Sequence, residues 1–84
     1  MKAEWLKKKK EIQSATYERL IEHLNKRNDV QNIDLMNLAG FCRNCLSTWL
    51  HEESENSGIK ISKEDAEEQI YKMPKVEWKE KYQK

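Results

Sequence analysis

Glycine and proline, the residues that most often interrupt regular structure, are almost missing from this chain. Its 84 residues contain two glycines, Gly40 and Gly58, and one proline, Pro74. No convincing alternation of polar and apolar residues between turn signals indicates a strand, and "GIKIS" at 58–62 fits a loop better. The sequence therefore predicts an all-α fold whose helices end at these few interruptions.

The first helix is predicted from residue 2 or 4 to residue 28. At 100° per residue one side of it is apolar. That side holds Leu6, Tyr17, Leu20, Ile21 and Leu24, with Trp5, Ile12 and His23 at its edge. Residues 1–11 are rich in lysine and are expected to form an N-terminal extension of this helix. Their run of four lysines at 7–10 is typical of a solvated helix face, with a phosphate contact as the rarer alternative.

A polar turn, "NDVQNID" at 28–34, separates the first helix from the second. Asp34 is the predicted N-cap of a second helix over 35–56. Spacings of 3, 4, 3 and 4 along this helix predict a stripe that packs against another helix. The stripe consists of Leu35, Leu38, Cys42, Cys45 and Trp49. Gly40 interrupts it, either as a kink or as a point where another backbone comes close.

Two more helices complete the predicted fold. Ser62 is the expected N-cap of a third helix, which runs to Met73. Pro74 stops that helix and can begin a short C-terminal one at 75–82. The predicted architecture is a small bundle of three main helices plus this short helix, in a single domain of residues 1–84.

Composition favours association with a second copy. Hydrophobic and charged residues each make up 37% of the chain, against about 45–50% and about 25% in typical domains. A domain of this size buries only about 60–65% of its unfolded surface. Because the core is small, we expect a homo-oligomer.

The sequence also argues against several classes of protein. A net charge of +1 is not that of a strongly basic nucleic-acid binder. No apolar run approaches the length of about 18 residues that a membrane helix needs, and "MKAEWLKKKK" lacks the apolar segment of a signal peptide. We therefore expect a cytoplasmic protein with reduced thiols.

The stretch "DVQNIDLMNLAGFCRNCLSTW" at 29–49 resembles the signature of a family of short bacterial proteins, domain of unknown function family 1244. The segments "ISKEDAEEQIY" and "MPKVEWKEKYQ" fit the same family, so the resemblance covers the chain from about residue 17 to its end. It implies a compact, all-helical, cytoplasmic bacterial protein and brings no established activity. The basic N-terminal segment and "WLHEE" at 49–53 depart from the family, so the resemblance implies nothing about His51.

Cys42 and Cys45 have the C-x-x-C spacing of metal and redox sites. Three apart on a helix, their Cβ atoms would lie about 5–6 Å from each other, and two thiolates can hold one side of a zinc ion. His23 is the best candidate for a third ligand. Asp34, His51, Glu52 or a residue of a second subunit would complete the four. A dedicated zinc ribbon would show two cysteine pairs rather than one.

Two other interpretations of the pair remain open. Free cysteine behaves as a small buried hydrophobe, which favours packed thiols in the stripe. Likewise, a histidine at an apolar edge, such as His23, is more often a core residue than a ligand. Thiol redox chemistry ranks lowest, because an activated cysteine usually lies at a helix N-terminus. If the helix begins at Asp34, Cys42 lies two turns inside it.

Polar and aromatic residues supply further candidate sites. A dense polar set can form either a pocket in which Arg43 binds an anion or a network that fixes the turn. The set is Asp29, Gln31, Asn32, Asp34, Asn37, Arg43 and Asn44. The aromatic residues Trp49, Tyr71, Trp78 and Tyr82 belong either to a binding surface or, more commonly, to a core or subunit interface.

No catalytic motif is present: the chain lacks a Ser-His-Asp set, a glycine-rich phosphate loop and a His-Glu-x-x-His motif. The sequence therefore predicts a non-enzymatic helical oligomer that acts through protein contacts. The alternative is a zinc-binding protein that uses Cys42, Cys45 and His23, and a thiol redox protein comes third.

Overall fold

The computed structural model describes residues 2–84, and within them every regular element is a helix. The five helices are α1 (Ala3–Lys26), α2 (Asn32–Ala39), α3 (Arg43–Asn56), α4 (Lys63–Tyr71) and α5 (Lys75–Tyr82). The predicted all-α class and the short helix at 75–82 are confirmed. In this part of the chain, none of the helices is long and apolar enough to cross a membrane.

The prediction of one continuous helix over 35–56 is wrong. Gly40 takes a left-handed backbone conformation, with φ of 76°, and its amide donates to the Met36 carbonyl at 3.0 Å, which ends α2. Cys42 has an extended backbone and is the N-cap of α3. The chain therefore changes direction between Ala39 and Arg43, and the predicted stripe does not form one face.

The exposures of the stripe residues show the same correction. Leu38 is 88% exposed and Trp49 is 51% exposed, so neither belongs to the core. Leu35 does pack against the core, and Cys42 is buried. The stripe residues are regularly spaced, but the break at Gly40 places Leu35 and Leu38 in α2 and Cys45 and Trp49 in α3.

Three predicted helix ends shift for local reasons. α1 ends at Lys26 rather than at residue 28. α2 begins after Gln31, and Asp34 is not its N-cap; its carboxylate accepts from the Gln31 amide at 3.0 Å, from inside the first turn. α4 ends before Lys72, which takes a left-handed conformation, so Met73 lies outside it. The predicted cap at Ser62 is present, since its hydroxyl accepts from the Asp65 amide.

The core lies where the C-terminal half of α1 meets α3, α4 and α5. Its buried members are Ile21, Leu24, Leu46, Ile70, Tyr71 and Trp78. Trp78 is 1% exposed, and its ring lies 5.1 Å from that of Tyr71 and 5.7 Å from that of Tyr82, measured between centroids. The tilted Tyr71–Trp78 pair attaches α5 to α4.

The N-terminal half of α1 extends beyond this core. From Ala3 to Thr16 every residue is exposed except Trp5, which is half-buried. The radius of gyration is 14.6 Å, compared with about 12 Å for a compact chain of this length. The principal extents of 47 × 28 × 20 Å reflect the same long helix.

Gly40→Ala is expected to lower the free energy of unfolding by about 1 kcal/mol, because a side chain disfavours the left-handed conformation. A Cβ there would meet nothing within 4 Å, so backbone strain is the only cost. Gly40→Asn should recover part of the loss, since asparagine tolerates this conformation. Urea denaturation measures both variants. An alanine variant as stable as the parent chain would contradict the break at this position.

Candidate functional site

Arg43, the first residue of α3, is buried at the C-terminal end of α1. It is 1% exposed. One terminal nitrogen donates to the Leu24 carbonyl at 3.2 Å and the Arg27 carbonyl at 2.9 Å. The other donates to the Val30 carbonyl at 2.9 Å and to Oδ1 of Asn32 at 3.1 Å. Arg43 thus caps the negative end of the α1 dipole and fixes the turn that leads to α2.

The Arg43 guanidinium has no carboxylate among these hydrogen-bond partners. Its carbon lies 4.9 Å from the centroid of the Trp78 ring, a cation–π contact, and Nε has no hydrogen-bond partner. Burial lowers the pKa of Arg43, and the ionised forms of the neighbouring Tyr71 and Cys42 oppose that fall. Helix carbonyls and an aromatic face therefore stabilise this buried positive charge.

A chain of side-chain hydrogen bonds continues from Arg43 to α4. The Asn32 amide donates to the Tyr71 hydroxyl at 3.1 Å, and that hydroxyl donates to Oδ1 of Asn44. The indole nitrogen of Trp78 donates to Oδ1 of Asn28 at 3.3 Å. Of the predicted polar set, Asn32, Arg43 and Asn44 are joined in this network, together with Tyr71, which the sequence had suggested only as an aromatic residue.

The other members of the polar set lie outside this network. Asp29 pairs with Arg27 at the surface, at 3.0 Å; the Arg27 guanidinium lowers the pKa of that carboxyl by hydrogen bonding to it. Gln31 and Asp34 bond to each other at the start of α2. Asn37 is exposed.

A cavity of about 230 Å³ opens beside the network. Its walls are Gln31, Asn32, Ile33, Asn44, Trp78, Lys79, Gln83 and Lys84. Three of the predicted pocket residues line it, but Arg43 does not. Its guanidinium is used inside the protein, so the structure does not place Arg43 to bind an anion there.

Three sulfur atoms meet at the corner between α2 and α3. Cys42 Sγ lies 3.9 Å from Cys45 Sγ, and Cys45 Sγ lies 3.8 Å from Met36 Sδ. Cys42 is 5% exposed, Cys45 is partly exposed and Met36 is 41% exposed. The break at Gly40 brings Met36, in the last turn of α2, against the first turn of α3. We name Met36, Cys42 and Cys45 the sulfur cluster.

The position of Cys42 corrects the argument made against an activated thiol. The sequence placed Cys42 two turns inside a helix, whereas it is the N-cap of α3. Cys45 follows in the first turn, so both sulfurs lie at the positive end of the α3 dipole.

His23 does not join the sulfur cluster. It is exposed in the last turns of α1, and His51 contacts Glu55 instead, at 3.6 Å. Across residues 2–84, no group of three or more His, Cys, Asp and Glu side chains gathers around a point that could hold a metal. Met36 is the residue from α2 whose sulfur lies beside Cys45. Sequence reasoning missed it because the break at Gly40 was not recognised as the end of a helix.

The aromatic residues divide between core and surface. Tyr71 and Trp78 are buried, and Tyr82 packs beside them. Trp49 is half-exposed and stacks on Phe41, with ring centroids 6.1 Å apart. It also lines an open groove of about 260 Å³, whose lining is Tyr17, Leu46, Trp49, Leu50 and Glu53. We name this the α1–α3 groove.

Comparison with known families gives one match. Residues 30–84, well over half of the chain, match the family described as "Protein of unknown function (DUF1244)". The match includes α2 to α5, and with them Arg43 and the sulfur cluster. The chain has no significant match among curated proteins.

Arg43→Lys is expected to lower the free energy of unfolding by about 2–4 kcal/mol, because one ammonium cannot reach four acceptors and leaves buried carbonyls unpaired. Arg27→Lys, the same substitution at an exposed arginine, should change stability little. Denaturant unfolding of both variants measures the difference. Equal effects at the two positions would show that the Arg43 contacts do not stabilise the fold.

We expect the free energy of unfolding to fall at high pH because of Tyr71. Burial raises the pKa of Tyr71 from 10.0 to about 12 in the folded chain, although the hydrogen bond from Asn32 acts in the opposite direction. Because folding raises this pKa, the contribution of Tyr71 to the free energy of unfolding is complete below pH 10. It is lost as the pH rises through about 12. The stability difference between the parent chain and Tyr71→Phe should therefore narrow over this interval. Denaturant unfolding at each pH measures this stability difference, and a difference that stays constant would show that Tyr71 does not titrate in this way.

Proposed function

The chain belongs to the DUF1244 family, and we propose that it is a non-enzymatic interaction protein that pairs with a second copy of itself through α1. The observation that carries this proposal is the N-terminal half of α1, where every residue from Ala3 to Thr16 except Trp5 is exposed. It carries Trp5 and Leu6 away from the core, and the rest of the protein presents the largely apolar α1–α3 groove.

The exposed surface supports this pairing. The chain exposes 6572 Å², compared with about 5300 Å² for a compact protein of 10.1 kDa. The excess of about 1300 Å² per chain is large enough to supply a standard interface, which buries about 1,200–2,000 Å² over both partners. The elongated shape therefore leaves the area that a stable dimer requires.

The projecting segment carries two large apolar side chains, Trp5 and Leu6, and the groove is lined mainly by apolar side chains. Leu6 lies about five helical turns before Leu24 and so on the same side of α1. Leu24 is 7% exposed in the core, whereas Leu6 is 63% exposed. The side of α1 that packs inward near Leu24 thus continues without a partner to Leu6. Trp5, half-buried, lies beside Leu6.

The charges of the two surfaces are complementary. Four lysines at 7–10 follow directly after Trp5 and Leu6. The rim of the α1–α3 groove carries Glu53. A lysine-rich segment fits an acidic rim, and opposite charges steer the partners together.

A two-fold arrangement satisfies both surfaces at once. In it, Trp5 and Leu6 of each protomer occupy the α1–α3 groove of the other, so that the two interfaces are identical. Tyr17 and Trp49, on the two sides of the groove, would enclose them. This supports a symmetric dimer rather than an open chain of protomers.

Leu6→Glu is expected to convert the dimer to a monomer, because it places a carboxylate in the apolar groove beside Glu53. Ala15→Glu is the matched control: it makes the same charge change on the opposite, exposed side of α1 and should leave the dimer intact. Sedimentation equilibrium measures the mass, with the parent chain at about twice 10.1 kDa.

Trp49→Glu tests the same interface from the groove side and should also give a monomer. Raising the salt concentration should weaken pairing, since the lysine–glutamate attraction is screened. A parent chain that remains monomeric at high concentration, or a Leu6→Glu variant that remains dimeric, would overturn the proposal.

A further inference from the structure

We propose that the sulfur cluster of Met36, Cys42 and Cys45 binds one copper(I) ion. This goes beyond the proposed pairing, since the cluster lies at the corner between α2 and α3 and uses none of the residues of the α1–α3 groove. It also differs from the zinc site that the sequence suggested, in both its third ligand and its metal.

The sulfur distances fit a shared ion. With metal–sulfur bonds of about 2.3 Å, two sulfurs on one ion lie about 3.8 Å apart at a tetrahedral angle and about 4.0 Å apart at a trigonal one. The two observed separations are 3.9 Å between the cysteine sulfurs and 3.8 Å between Cys45 Sγ and Met36 Sδ. The chain therefore holds Cys45 Sγ at the spacing of coordinated ligands from each of the other two sulfurs.

The ligand types favour copper(I) over zinc. Structural zinc sites take four ligands from Cys, His, Asp and Glu, and the described residues gather no such group. The third sulfur here is a neutral, soft thioether. Thiolate and thioether ligands together select copper(I).

The surrounding charges suit the bound state. Binding of one copper(I) ion to two thiols and a thioether releases two protons and leaves a site with a net charge of −1. Cys42 lies at the positive end of the α3 dipole. Arg43, the next residue, is a buried cation whose hydrogen-bond partners include no carboxylate. Both features stabilise a negative site at this corner.

The position of the cluster allows an ion to enter. Met36 is 41% exposed and Cys45 is partly exposed, whereas Cys42 is 5% exposed. An ion would meet the thioether and the outer thiolate first and the inner thiolate last.

The test is an anaerobic titration of the reduced full-length chain with copper(I), in competition with a chromogenic copper(I) chelator. We expect one ion per chain, release of two protons at neutral pH, and three sulfur ligands by X-ray absorption spectroscopy. Cys45→Ser should lose binding. Met36→Leu should weaken the affinity by about ten-fold or more and reduce the coordination to two sulfurs.

Met73→Leu is the matched control, since it makes the same substitution away from the cluster and should leave affinity and coordination unchanged. Circular dichroism checks that every variant is folded, and Met36→Leu, at an exposed position, keeps the test valid even if Cys45→Ser does not fold. Leu6→Glu should bind copper(I) as the parent chain does, which separates this proposal from pairing. Absence of stoichiometric binding, preference for zinc, or unchanged coordination in Met36→Leu would overturn it.

Discussion

The buried guanidinium of Arg43 is the interaction on which the rest of the structure depends. Its four hydrogen bonds join the end of α1 to the turn before α2, and its central carbon lies over the Trp78 ring of α5. Each buried carbonyl left without this donor would cost about 1–3 kcal/mol. In a domain with so few buried residues, one side chain thus adds a polar connection between helices that also share the apolar core.

The position of Arg43 also determines the corner between α2 and α3. Because Arg43 must reach the α1 carbonyls from the first residue of α3, the chain before it has to turn sharply. Gly40 supplies the left-handed residue and Cys42 the extended one. Met36 is thereby folded back onto the first turn of α3. The arrangement of the sulfurs is therefore a consequence of capping α1.

Local signals in the sequence predicted much of the fold but not this corner. The helical class, the Ser62 cap and the helix at 75–82 follow from short-range chemistry, so they could be read from neighbouring residues. Periodicity identifies residues that share a face only while a helix is continuous. Because the stripe predicted within 35–56 crossed the break at Gly40, its members do not share a face. The contact of Met36 with Cys45, and the distance of His23 from both cysteines, depend on how helices are placed in space. No local pattern carries that information.

The same limit applies to the N-terminal half of α1. A stretch of about 14 residues is a marginal helix in water by itself, and the segment from Ala3 to Thr16 has no core to pack on. Its lysines, glutamates and alanines are good helix formers, which explains why the helix continues past the body but not why it carries Trp5 and Leu6. Apolar residues on a free helix are costly in water. They become favourable only when a partner covers them, and by mass action that partner would also stabilise the small core to which α1 is anchored. In the proposed dimer, both pairing and folding stability would depend on α1.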